Sequence, residues 1–132
     1  MAQSLEPHAK KTILVVDDDP AILELTSGFL REDYNVLTAV NGKEALQAMK
    51  EFKGELSLLL SDFEMPEISG IELATRLAVD RPQIKILLMS GFPGGTLVLN
   101  EGWHFLAKPF VPSQLRTLVR GLLSPESRFT AA

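Results

Sequence analysis

The run Thr12-Ile13-Leu14-Val15-Val16-Asp17-Asp18-Asp19-Pro20 decides the fold. Its first five residues are β-branched or aliphatic without a break, the pattern of a strand buried on both faces rather than of one that turns a face to water. Three carboxylates end it at once. Pro20 stands where a first helical residue loses nothing by lacking its N–H, and Asp19 before it is read as the N-cap rather than as a ligand. Ile22, Leu25, Phe29 and Leu30 then recur at helical spacing, which predicts a helix from Pro20 with those four on its apolar face.

Outward from this unit the alternation repeats. Residues 34–39 predict a second strand, and after Asn41-Gly42 the set Ala45, Ala48, Met49 and Phe52 predicts a second helix. A third strand is expected over 56–61, followed by a loop from Asp62 to Ser69. A helix marked by Ile71, Ala74, Leu77 and Ala78 comes next, with Ser69 as its N-cap. Residues 84–89 predict a fourth strand. Pro93-Gly94-Gly95 then disfavours a helix start, so the fourth helix, confined to about 96–101, is expected to be short or distorted. Residues 103–107 give a fifth strand, and Leu115, Leu118, Val119 and Leu122 give the closing helix. Strands alternating with helices over short links predict an α/β fold, a doubly wound five-stranded parallel sheet in the order 2-1-3-4-5. The domain is expected over 11–123, between tails at 1–10 and 124–132.

Composition narrows the function. The chain has 132 residues, 45% hydrophobic and 23% charged, the size and balance of one domain. Thirteen Lys and Arg against seventeen Asp and Glu give a net charge of −4, which disfavours nucleic acid and anionic membrane surfaces as partners. There is no cysteine, and His8 and His104 are the two histidines, so thiol and zinc chemistry drop out. No stretch approaches the ~18–20 apolar residues of a membrane helix, nor does the first segment hold the apolar core of a signal peptide, so a cytoplasmic location is expected.

Ligands of an open α/β sheet bind beyond the carboxyl ends of its strands, where the winding reverses. Asp17, Asp18 and Asp19 stand there after the first strand, Asp62 after the third, Ser90 after the fourth and Lys108 after the fifth. In the order 2-1-3-4-5 the first and third strands are neighbours about 4.8 Å apart, so their terminal carboxylates are forced together. Two carboxylates ~5 Å apart repel by roughly 3 kcal/mol at an effective dielectric near 20. One lysine leaves negative charge over, and an all-oxygen ligand set points to Mg²⁺, or Mn²⁺ in its place. A cation, a lysine and a hydroxyl around one exposed carboxylate suit phosphoryl transfer, with Asp62 as a candidate acceptor.

These residues resemble a known family. Ile13-Leu14-Val15-Val16-Asp17-Asp18-Asp19-Pro20, Ser61-Asp62-Phe63-Glu64-Met65-Pro66 with Ser69-Gly70, Met89-Ser90-Gly91 and Lys108-Pro109-Phe110 together are similar to the receiver domain of two-component response regulators. The resemblance implies a flavodoxin-like fold and a domain that takes a phosphoryl group from a histidine kinase or histidine phosphotransfer protein. By position it makes Asp62 the phosphoacceptor, Asp17 and Asp18 the acidic pair on the metal, and Glu64 a metal ligand through its backbone carbonyl. Ser90 becomes the hydroxyl that turns toward the phosphoryl group, Lys108 the lysine that pairs with it, and Phe105 the aromatic switch. Glu64 and Phe92 fall beside the path of a dephosphorylating water, and Lys108-Pro109 matches a cis peptide of the family. The segment between Ser90 and Lys108 is shorter than in typical members, and Phe105 lacks a tyrosine hydroxyl.

The resulting expectation is a phosphorylatable switch rather than an enzyme, with no attached effector, signalling through another protein or as a homodimer. The competing class is a pseudo-receiver, an interaction module independent of phosphate. It is disfavoured by retention of the acidic positions, Ser90 and Lys108. A phosphatase that turns over on Asp62 would use Glu64 as general acid, but the chain holds no insertion to serve as a substrate cap.

Overall fold

A computed structural model of the chain describes residues 10–91 and 103–124. Five strands, β1 (Thr12–Val16), β2 (Asn35–Ala39), β3 (Leu58–Asp62), β4 (Lys85–Ser90) and β5 (Trp103–Ala107), form one sheet. Its order is β2-β1-β3-β4-β5, and every pairing is parallel. Four helices are described: α1 (Pro20–Leu30), α2 (Gly42–Glu51), α3 (Gly70–Asp80) and α4 (Pro112–Leu123). The doubly wound α/β architecture is thus the one expected. The short helix expected over 96–101 lies outside the described residues. Among the described residues no helix is long and apolar enough to cross a membrane.

β1 is buried over its whole length. Its residues alternate between two cores, as the period of a strand requires. Ile13 and Val15 pack with Leu23 and Leu30 of α1 and with Leu115, Val119 and Leu122 of α4. Leu14 and Val16 pack with Ala45 and Met49 of α2 and with Leu73, Ala74 and Leu77 of α3. α1 and α4 therefore cover one face of the sheet, and α2 and α3 the other. The backbones of β1, β3 and β4 are paired on both sides, which leaves chemistry to the strand ends.

The caps fall where the sequence places them. Asp19 accepts from the N–H groups of Ala21 and Ile22 at 3.0 and 3.4 Å, and Ser69 accepts from Glu72 N at 3.1 Å. Asn41 caps α2 by accepting from Glu44 N at 2.7 Å, while the Glu44 carboxylate accepts from Val40 N at 3.0 Å. That reciprocal pair fixes the start of α2.

The buried face of α1 is a correction. It carries Leu23, Thr26, Ser27 and Leu30, whereas Leu25 is 56% exposed and Ile22 and Phe29 are only half-buried. The correct stripe has the spacing i, i+3, i+4, i+7, but two of its four residues bear hydroxyls, so a search for apolar periodicity passes over it. Strand limits also move: β3 begins at Leu58 and includes Asp62, and β4 runs on to Ser90.

Two stability predictions come from this packing. The Ser27 hydroxyl is fully buried and has no hydrogen-bond partner among the described residues. An unsatisfied buried hydroxyl costs about 1 kcal/mol or more, so Ser27→Ala should raise the melting temperature by a few degrees. In the second case, His104 lies beside Leu87 in the β4–β5 register, where burial, with the charge of Lys85 adding to it, holds its imidazole below the ordinary value of 6.5. The unfolded chain then takes up the proton first as pH falls. Stability that is complete above about pH 6.5 should decline below it, and urea titrations should find that decline shallower in His104→Gln.

Candidate functional site

Val16 pairs with Ser61 in the β1–β3 ladder, so Asp17 and Asp62 leave the sheet side by side. Asp17 N still donates to Ala39 O at 3.2 Å, which holds that residue to β2. Its side chain is 1% exposed, and its Oδ1 accepts from Asp19 N at 3.0 Å. Asp19 is occupied as the cap of α1, which leaves Asp18 exposed between two fixed neighbours. Carboxylate oxygens of Asp17, Asp18 and Asp62 all lie within 4.8 Å of one another.

The opposite side of the cluster comes from β4 and β5. Phe63 N donates to Met89 O and Lys108 N to Ser90 O, each at 2.7 Å, so both ladders continue one residue past the strands. The Lys108-Pro109 peptide is cis, as the resemblance implies. Lys108 Nζ stands 3.3 Å from Asp62 Oδ1 and 3.4 Å from Asp17 Oδ2, with its side chain 26% exposed. Ser90 follows Met89, the register partner of Asp62, and is buried. The structure therefore brings together the side chains of Asp17, Asp18, Asp62 and Lys108, with Ser90 at the end of the strand beside Asp62.

Three carboxylates face one ammonium here. The Asp62 carboxyl is held above its ordinary 3.8 by burial first of all; Lys108 opposes this, and the charges of Asp17 and Asp18 add to it. A half-buried cluster with excess negative charge and only oxygen donors fits a hard divalent cation such as Mg²⁺ and does not suit zinc. Asp17, Asp18 and Asp62 are the side chains that would hold it.

Glu64 is exposed on the loop after β3, and its carboxylate is not one of the three. Phe105 is half-buried and packs against the α2–α3 side of the core, beside Leu88 in the ladder. Phe92 lies outside the described residues. Gly70 is the position that sequence reasoning quoted only as part of a motif. Its N–H donates to Phe63 O at 2.9 Å, and a Cβ there would collide with the carbonyl oxygen of Asp62. The loop 63–69 thus folds back onto the end of β3 more closely than any side chain permits. At the same loop a Cβ on Gly42 would stand 2.7 Å from Ile68 Cβ, and Glu67 takes a positive φ of 70°. A glycine as the first residue of a helix, directly after a serine cap, is the one available cue, since glycine is otherwise a poor helix former.

Comparison with known proteins agrees with this fold. A family model described as "Response regulator receiver domain" matches residues 13–120. Sensor kinase CckA of Brucella abortus is 33% identical over 120 residues, which are 87% of this chain and 13% of the kinase. Response regulator GtcR of Aneurinibacillus migulanus is 33% identical over 106 residues, 77% of this chain and 43% of that protein. The chain thus spans less than half the length of either relative. Among solved structures, the receiver domain from hybrid histidine kinase CckA superposes with a TM-score of 0.76 at 32% identity, covering 86% of this chain and 99% of that one. Response regulator protein TrrA of Thermotoga maritima, in complex with Mg²⁺-BeF, gives 0.73 at 34% identity over 86% of this chain and 99% of its own.

The crowding has a measurable cost. Because burial and like charge disfavour ionised Asp62, Asp62→Asn should raise the melting temperature in EDTA, by a few degrees, while Mg²⁺ should stabilise that variant less than wild type. A lower melting temperature in EDTA would show that the Lys108 pairing outweighs the desolvation.

Proposed function

The chain belongs to the response regulator receiver domain family of two-component systems, and from that premise we propose that it is a phosphorylatable switch. In this reading Asp62 accepts a phosphoryl group from a histidine kinase or a histidine phosphotransfer protein in the cytoplasm, with Mg²⁺ held by Asp17, Asp18 and Asp62. The observation that carries it is the convergence on Asp62 of two further carboxylates and the Lys108 ammonium. The likeness to the receiver domain of a hybrid histidine kinase supports the donor class. The complex of TrrA with Mg²⁺-BeF supports the cation.

The transfer balances simply. A carboxylate oxygen of Asp62 forms a bond to phosphorus while the N–P bond of a phosphohistidine breaks, and the electron pair leaves with the imidazole nitrogen. Asp62 stands at a strand end with its side chain 14% exposed, accessible enough to be reached yet fixed by the ladder to Met89. Lys108 is already within 3.3 Å of Asp62 Oδ1, so its ammonium meets the charge carried by the incoming group without rearrangement. Asp17, Asp18 and Asp62 would hold Mg²⁺, whose charge would add to that neutralisation. Ser90 supplies a hydroxyl to one phosphoryl oxygen, and the backbone carbonyl of Glu64 would add to the cation's ligands. Phe105 carries the change to the α2–α3 side of the sheet. The chain is then a phosphoacceptor whose output is contact with another protein rather than turnover.

The test is mass spectrometry after incubation with acetyl phosphate and MgCl₂. One phosphoryl group per chain is expected, sensitive to hydroxylamine, dependent on the divalent cation and lost in Asp62→Asn. Equal labelling of the Asn variant would move the acceptor elsewhere. Absence of labelling in wild type would leave an interaction module independent of phosphate.

A further inference from the structure

We propose that the groove between α2 and α3 is a docking surface for an acidic amphipathic helix of a partner protein. The groove holds about 900 Å³ and opens to solvent. On α2 it is lined by Lys43, Leu46 and Lys50, spaced i, i+3, i+7 and hence on one stripe of that helix. On α3 it is lined by Arg76 and Val79, with Arg81 just past the helix end.

The sign of the lining is opposite to that of the whole chain. Four cations line the groove against one carboxylate, Asp80, in a protein of net charge −4. Among the described residues neither Lys43 nor Lys50 enters an ion pair. Arg76 pairs with Glu72 at 2.8 Å, but that pair is exposed. Arg81 donates to the carbonyls of Gly54 and Phe52 at 2.9 and 3.0 Å and lies over the Phe52 ring, contacts that hold the guanidinium in place without cancelling its charge. Even with Glu72 counted beside Asp80, the groove keeps an excess of two positive charges.

Its floor and one rim are apolar. Met49 and Leu77 rise from the core beneath it, Leu46 is half-buried, and Val79 is 75% exposed, the most exposed large apolar side chain among the described residues. Apolar side chains set among cations are complementary to a helix with one apolar stripe flanked by carboxylates. Lys43 and Lys50 are two turns apart, about 10 Å along the axis, which matches carboxylates seven residues apart on the occupant. Nucleic acid makes no use of the Leu46–Val79 strip. A second copy of this chain, docked about a two-fold axis through this face, would set cations against cations. At one end the lining includes Ile68, so an occupant touches the loop that follows Asp62. The proposal stands whether or not Asp62 is phosphorylated.

The probe is a fluorescein-labelled helical peptide of Leu, Ala and Glu, with Leu at i, i+3 and i+7 and Glu flanking them, titrated against the full chain by anisotropy. Saturable binding is expected, with amide shifts clustered on α2 and α3. Lys50→Glu and Val79→Ser replace exposed side chains outside the core and should each weaken binding, the charge reversal by about fivefold or more. The proposal is overturned by lack of binding, by equal binding of a peptide with Lys for Glu or Ser for Leu, or by shifts confined to α1 and α4. Competition by an oligonucleotide equal to that of the unlabelled peptide would make this a general anion surface. A concentration-dependent dimer dispersed by Lys50→Glu would make the occupant a second copy. Either result also overturns it.

Discussion

The register of β1 against β3 is the constraint on which the rest depends. Val16 opposite Ser61 puts the next residue of each strand at the same height on the carboxyl edge, one strand spacing apart. Like charges repel, so the side chains of Asp17 and Asp62 do not draw each other together, although Lys108 pairs with both. The ladder does so, backed by β1 residues that are buried on both faces and cannot slip without exposing one core or tangling the other. The winding reverses at this pair of strands, and the α1 and α3 starts diverge to opposite faces, so the edge above the pair is left open.

Charge compensation at that edge is incomplete by construction. Asp17, almost fully buried, is satisfied by the N–H of Asp19 and by Lys108. Asp62 shares the same ammonium. Asp18 gets no comparable partner among the described residues, and the cluster retains net negative charge. A better-paired site would make a more stable protein and a poorer cation site. The protein tolerates the cost because the apolar layers on both sides of the sheet run continuously beneath it, from Leu14 and Val16 to Leu59 and Leu88 on one side and from Ile13 and Val15 to Leu60 and Met89 on the other.

β1, β3 and β4 were legible in the sequence because burial on both faces writes itself as an apolar run, and the caps were legible because Asp19 and Ser69 are chemically specialised for them. The strand-end residues could be read for the same reason: a polar residue that terminates such a run has only the sheet edge to occupy. What failed was the face of α1, since Thr26 and Ser27 carry hydroxyls into the core and erase the periodicity that marks a buried stripe. The close approach of Gly70 to Asp62 was also hidden. Seven residues separate the two, and only the path of the intervening loop brings one backbone onto the other. The groove between α2 and α3 was invisible for a related reason. Its lysines and arginines belong to helices some thirty residues apart, interleaved with Glu44, Glu51 and Glu72, and their common sign emerges only when the two helices are laid side by side.

That loop connects the two surfaces physically. Ile68 is wedged against Gly42 at the start of α2, where no Cβ could be tolerated, and two residues later Gly70 abuts the carbonyl of Asp62 under the same restriction. Contacts this tight behave as stops rather than springs, because packed atoms have almost no further approach available. A shift of the α2 N-terminus toward the loop must therefore carry Ile68 with it, and a movement of the Asp62 backbone must carry Gly70. Between them lie Ser69, held as the cap of α3, and the β3–β4 ladder, held by Phe63 N on Met89 O. A rigid path is not itself a coupling; coupling requires that the loop have two arrangements of unequal affinity for what binds at either end. The two glycines fix where such arrangements would have to differ: in the path of 63–69, between one close contact and the other.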